Sequence, residues 1–147
     1  MSASNSFENN LLLLVFQNAN FANVGDATGL RGSTTAGSFY ISLHTADPGE
    51  AGTAVTSEAA YTGYARVAVA RSSAGFTVST NTVSNAAAIN FGNCTASPGS
   101  ALTFFGIVET SSGAGALHLS GALSASYQPA IGNAPSFAIG ALTATAD

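Results

Sequence analysis

"FYISLHTADPGEAG", residues 39–52, opens in strict alternation and closes in an acidic turn. Phe39, Ile41 and Leu43 alternate with Tyr40, Ser42 and His44, the two-residue period of a strand with one face buried. In Asp47-Pro48-Gly49 the proline fixes φ and the glycine accepts positive φ, which predicts a type II turn. The same stretch gathers a histidine, an aspartate and a glutamate, so it also has to be tested for chemistry. A Ser42-His44-Asp47 triad is disfavoured. Ser42 and His44 share one strand face, and no nucleophile elbow surrounds the serine.

Strand patterns continue on the C-terminal side. "YARVAVA" (64–70) places Tyr64, Arg66, Ala68 and Ala70 on one side and Ala65, Val67 and Val69 on the other. "FTVST" (76–80) and "AAAINF" (86–91) are shorter candidates, separated by Asn and Ser. "LTFFGIVET" (102–110) and "ALHLSGAL" (116–123) flank "SSGAGA" (111–116), whose glycines permit the positive φ of a hairpin turn. "SFAIGALTATA" (136–146) closes the chain as a strand. "NCTASPGS" (93–100) and "SYQPAIGNAP" (126–135) read as loops, and Pro48, Pro98, Pro129 and Pro135 all fall between strands. Short strands punctuated this regularly predict a mainly β fold, an antiparallel β-sandwich of jelly-roll-like type.

On the N-terminal side the period changes. Phe7, Leu11, Leu14 and Val15 recur at helical spacing, and Leu12, Leu13 and Phe16 widen the stripe to most of the circumference. Ser4, Asn5 or Ser6 can cap this helix, with Glu8 near the positive end of its dipole. A helix so apolar must be buried, against its own subunit or a neighbour. The run "LLLLVF" (11–16) is too short to span a bilayer and follows an acidic residue, so no membrane partner is expected. The predicted organisation is a helix or arm at 1–24, a Gly/Ser/Thr connector at 25–37, and a β-sandwich domain at 38–147.

Composition narrows the function. Only 7% of the 147 residues are charged, against about 25% in ordinary globular chains. There is no lysine, and the basic side chains are Arg31, Arg66 and Arg71. A free monomer usually carries more charge to stay soluble, so the deficit points to a surface covered by partners or coated with Ser, Thr, Asn and Gly. A formal net charge of −4 excludes an electrostatic nucleic-acid binder. The single Cys94 excludes an intramolecular disulfide framework.

The candidate chemistry is thin. Asp47, Glu50 and Glu58 offer carboxylates from one loop, but their spacing matches no EF-hand. His44 and His118 form a transition-metal pair only if two strands juxtapose them, and zinc wants three or four ligands. "NVGDATGLRG" (23–32) is glycine-rich without the strand and helix of a phosphate cradle. No cofactor is therefore expected. Arg66 and Arg71 flank a strand poor in charge. They are either solvated strand ends or bidentate carboxylate partners, within or between subunits. Tyr61 and Tyr64 are packing or interface aromatics. A sugar-binding module would want exposed aromatic platforms, yet there is no Trp and only Tyr40, Tyr61, Tyr64 and Tyr127 could serve. The candidate interface residues are Phe7, Leu11, Leu14, Arg31, Arg66 and Arg71.

Several stretches carry a family likeness: "NSFENNLLLLVFQNANFANV" (5–24), the run 39–91, "TFFGIVETSSGAGALHLSGAL" (103–123) and "FAIGALTATAD" (137–147). "SLHTADPGEAG" (42–52) followed by "YTGYARVAV" (61–69) is the most specific part. Together they resemble small virion proteins of tailed bacteriophages, a family frequently labelled tail-fibre protein and similar to the cement or decoration proteins of some capsids. The resemblance implies a non-enzymatic structural protein on the virion surface. It implies first a capsid cement or decoration subunit whose partner is the major capsid protein, and in the alternative a tail fibre or tail adaptor subunit. It also implies a symmetric homo-oligomer, a dimer or trimer.

Overall fold

The computed structural model describes residues 2–96 and 98–146. The expected loop at 93–100 is therefore described except at residue 97. The chain is mainly β, its assigned strand registers are antiparallel, and one helix precedes the strands. That helix, α1, spans Asn5–Gln17, and the strands are β1 (Ser38–His44), β2 (Val67–Ala70), β3 (Phe76–Ser79), β4 (Thr82–Asn85), β5 (Ile89–Asn90), β6 (Leu102–Val108), β7 (Leu117–Tyr127), β8 (Ser136–Phe137) and β9 (Thr143–Thr145). The sheets run β2-β1-β6-β7, β3-β4-β9 and β5-β8. Two compact units share these elements, one of residues 2–38, 69–89 and 137–146, the other of residues 39–68 and 90–136. The chain passes from one to the other inside β1, β2, β5 and β8.

In the first unit Ser4 caps α1, its side chain accepting from the Phe7 N–H, and Glu8 sits in the first turn. The helix buries Leu12 and Phe16 and leaves Phe7 and Leu11 partly in solvent, so its wide apolar surface is only partly used within the chain. The buried stripe meets the β3–β4 hairpin. The Phe16 and Phe76 rings pack edge to face at 5.1 Å, and Gln17 Nε2 donates to the Phe76 carbonyl at 2.8 Å. Burying each such side chain contributes roughly 1.5–3 kcal/mol.

Asn18 ends α1 in the left-handed region at φ 58°. The last turn of α1 holds no basic residue of its own. Arg71 supplies the missing cation, donating from Nε to the Val15 carbonyl at 2.6 Å and from Nη2 to the Leu14 carbonyl at 3.0 Å. Its Nη1 donates to Ala36 at 3.0 Å, so one guanidinium ties the helix end to the connector.

The strand β4 is absent from the sequence reading, where its residues stand as a separator. The two-residue turn joining β3 to β4 has Thr80 at φ 55°, a conformation that normally advertises itself by Gly or Asn. The closing segment 136–146 is two short strands, not one. The break is held by the buried Asn85, whose Nδ2 donates to the Ala87 and Ala138 carbonyls at 2.7 and 2.8 Å and whose Oδ1 accepts from Leu142 N–H at 2.9 Å.

In the second unit β1 and β6 pair antiparallel with Ile41 opposite Ile107 and Leu43 opposite Phe105, and β6 pairs with β7 through the expected glycine turn. Ile41, Leu43, Leu102, Ile107 and Val108 are buried to 1% exposure or less. β1 departs from the expected half-buried pattern, because Ser42 and His44 are buried as fully as their apolar neighbours. The loop after the strand folds back over them, pairing His44 with Glu58 as an isolated bridge. "YARVAVA" is shorter than expected: β2 begins at Val67, and Tyr64 and Arg66 turn into the interior instead of lying along a strand.

Candidate functional site

Ser42 and His44 make the one arrangement in the opening stretch that resembles a reactive pair. Ser42 Oγ lies 2.8 Å from His44 Nε2, and His44 Nδ1 lies 2.8 Å from the Thr56 carbonyl oxygen. A carbonyl only accepts, so Nδ1 carries the proton and Nε2 is left to accept from the serine hydroxyl. Burial, the largest effect, holds the His44 pKa below its ordinary value, although the Thr56 hydrogen bond and Glu58 pull the other way. A neutral imidazole facing a serine hydroxyl is the geometry of a general base.

Access is missing. Ser42 and His44 are both 0% exposed. The space in front of them is filled by Gly106 of β6, where a Cβ would fall 2.6 Å from Ser42 Oγ, 2.7 Å from His44 Nε2 and 2.8 Å from Leu117 Cδ1. Glycine is required there because strand and side chains already touch. A hydroxyl sealed against backbone cannot meet a substrate, and the pair serves to satisfy polar atoms inside the sheet.

Arg66 organises the long loop that covers this pair. Its Nε and Nη2 form a two-pronged contact to Glu58, at 2.6 Å to Oε1 and 2.8 Å to Oε2. Nη1 donates to the Thr110 carbonyl and hydroxyl, both at 3.0 Å, and Nη2 also reaches the Ala54 and Gly113 carbonyls at 3.2 and 2.9 Å. One side chain thereby joins the loop at 54–58 to the β6–β7 turn. Tyr64 completes the cluster, its hydroxyl accepting from the Leu43 N–H at 3.1 Å and donating to Glu58 Oε1 at 3.0 Å. Burial is the main reason that the Tyr64 phenol is pushed well above its usual range and that of Tyr61 to about 12. Tyr61 donates to the Gly92 carbonyl at 2.9 Å and packs edge to face with Tyr64 at 5.5 Å. Among the described residues no buried side-chain nitrogen or oxygen lacks a hydrogen-bond partner.

The remaining candidates are dispersed. Gly49 has φ 69° and its N–H donates to Asp47 Oδ1 at 2.9 Å, so Asp47 is engaged in its own turn. Glu58 faces Arg66 while Asp47 and Glu50 are exposed, and no set of three or more His, Cys, Asp or Glu able to hold a metal occurs among the described residues. The histidines are not brought together. His44 ends β1, whereas His118 packs on Phe39 at the strand's start, ring centroids 5.5 Å apart. Of the candidate interface residues, Phe7, Leu11 and Arg31 are exposed, Leu14 and Arg71 are half-buried, and Arg66 is buried. The structure also exposes a surface the sequence reading passed over, the outer side of β7 at the end of its sheet.

Over residues 2–145 the chain matches the family described as podophage GP4 fiber I protein gp80. No curated protein matches it. No helix among the described residues is long and apolar enough to cross a membrane.

Proposed function

Because the chain belongs to the podophage GP4 fiber I protein family, a family of phage virion structural proteins, we propose that it is a non-enzymatic fibre subunit of the virion. The observation that carries this reading is the family match, which extends over residues 2–145. The site geometry supports it. The Ser42–His44 pair is closed off by Gly106, and the guanidiniums of Arg66 and Arg71 hold the chain's own carbonyls and carboxylate. Such a protein acts mechanically, by offering surface to other virion components.

A second reading is a capsid cement or decoration subunit that bridges major capsid proteins and strengthens the mature head. One observation favours it: the sequence shows no fixed-period repeat or heptad run from which a long shaft is built. Quantitative mass spectrometry of purified particles separates the two. A copy number set by the tail's rotational symmetry supports the fibre reading, and a number scaling with the major capsid protein supports cement. Absence from purified particles refutes both.

A further inference from the structure

Glu8, Leu12 and Phe16 stand four residues apart and form the stripe that α1 buries. Phe16 meets the ring of Phe76 there. Glu8 is buried to 7% exposure, yet among the described residues its carboxylate enters no hydrogen bond or ion pair. Its oxygens still reach the surface, since no fully enclosed side-chain oxygen lacks a partner among those residues. A place in the first turn accounts for the sign of the charge, because a helix N-terminus favours anions. It does not account for the burial. Glutamate is almost never so enclosed unless paired, as a carboxylate stripped of water needs a counter-charge.

The chain does not supply that cation. It has no lysine, Arg66 holds Glu58, and Arg71 holds the carbonyls of Leu14, Val15 and Ala36. Arg31 is exposed and forms no ion pair with Glu8. The neighbours of Glu8 say which cation fits. Leu11, three residues on, lies beside it on the helix surface, and Phe7 continues that row at 48% exposure. Phe7 is held in place by the Phe21 ring, edge to face at 5.3 Å. A lysine lays its four-carbon stem on such an apolar row and brings a compact ammonium to its tip. An arginine fork wants both carboxylate oxygens open in one plane, which a side chain at 7% exposure does not offer. A second copy of this chain, having no lysine, is not the occupant.

We infer that α1 docks on a different virion protein by seating one of that protein's lysines against Glu8, the lysine stem lying along Leu11 and Phe7. The inference rests on the virion reading above and names the chemistry of the partner.

Carbodiimide treatment of intact particles tests it, because the reagent joins a carboxylate to an amine only where the two are in contact. Since these 147 residues contain no lysine, any amide from Glu8 to a lysine identifies a different protein. Peptide mapping is expected to find that link. Glu8→Gln should lower the copies per particle by about tenfold. Glu8→Lys should abolish incorporation, and changing the linked lysine to glutamate should restore it, a rescue that a folding defect would not allow. Particles that carry the wild type without the Glu8–lysine link, or that take up Glu8→Gln and Glu8→Lys at the wild-type level, overturn the inference and leave the virion reading intact. Absence of the protein from particles overturns both.

Discussion

Replacing Arg66 by methionine is the sharpest test of what holds the loop over β1. Methionine keeps much of the volume of the aliphatic stem and removes the guanidinium. Glu58 then keeps only the Tyr64 hydroxyl as a side-chain partner, and the carbonyls of Ala54, Thr110 and Gly113 lose their charged donor. Removing one partner of a buried ion pair costs about 3–5 kcal/mol. The Glu58 side chain is 18% exposed and recovers some hydration, so the lower end, about 3 kcal/mol, is expected. For a chain of this size each kcal/mol lowers Tm by roughly 2–4 °C, giving a fall of about 6–12 °C. Thermal unfolding followed by circular dichroism reads this directly. A cycle with Glu58→Gln should return a coupling of roughly 1–3 kcal/mol. Arg66→Lys should recover little, since one ammonium cannot reach acceptors spread from Ala54 to Gly113. A fall of less than about 2 °C for Arg66→Met would refute the claim that this side chain anchors the loop.

Gly106→Ala should destabilise by about 1–3 kcal/mol in denaturant melts, because the added methyl collides with Ser42, His44 and Leu117 together; a neutral result would mean that the pair is not sealed. Arg71→Gln should cost about 1–2 kcal/mol and speed amide exchange in the last turn of α1, while exchange in β6 stays unchanged. His44 gives a pH signature. Its pKa is depressed in the folded state, so between pH 6.5 and that lower value the unfolded chain binds the extra proton. Stability should therefore decline as pH falls below about 6.5, at no more than about 1.4 kcal/mol per pH unit, and His44→Gln should remove that component of the slope.

Alternation and punctuation were enough to read most of the second unit. The strand at residues 39–44, the positive φ of Gly49 and the glycine-rich link before β7 all carry local signals that survive into the fold, although the hydrogen-bonded turn runs from Gly49 to Gly52 and not over Asp47-Pro48-Gly49. What stayed hidden depended on distant partners. The hairpin joining β3 to β4 uses Thr80 at positive φ, which no turn preference marks. The burial of Ser42 and His44 on the nominally polar face needs a loop from beyond residue 50 to cover them. Arg66 and Arg71 read in the sequence as either solvated strand ends or carboxylate partners, and nothing in their neighbours names Glu58 or the end of α1 as the recipient. The open edge of β7 was invisible because edge and centre are properties of strand order, which a linear pattern does not encode.

The division of the chain into interleaved segments bears on its synthesis. Strand β9 pairs with β4, Thr82 to Thr145 and Ser84 to Thr143, so the sheet of the first unit takes its last strand from a segment translated well after β4. Until then the face of β4 awaiting that strand stays open beside the nascent polypeptide, at the stage when ribosomes on one message hold many identical unfinished chains close together. A chain interrupted before β9 would therefore be expected to yield subunits that stick to one another, and not merely shorter ones.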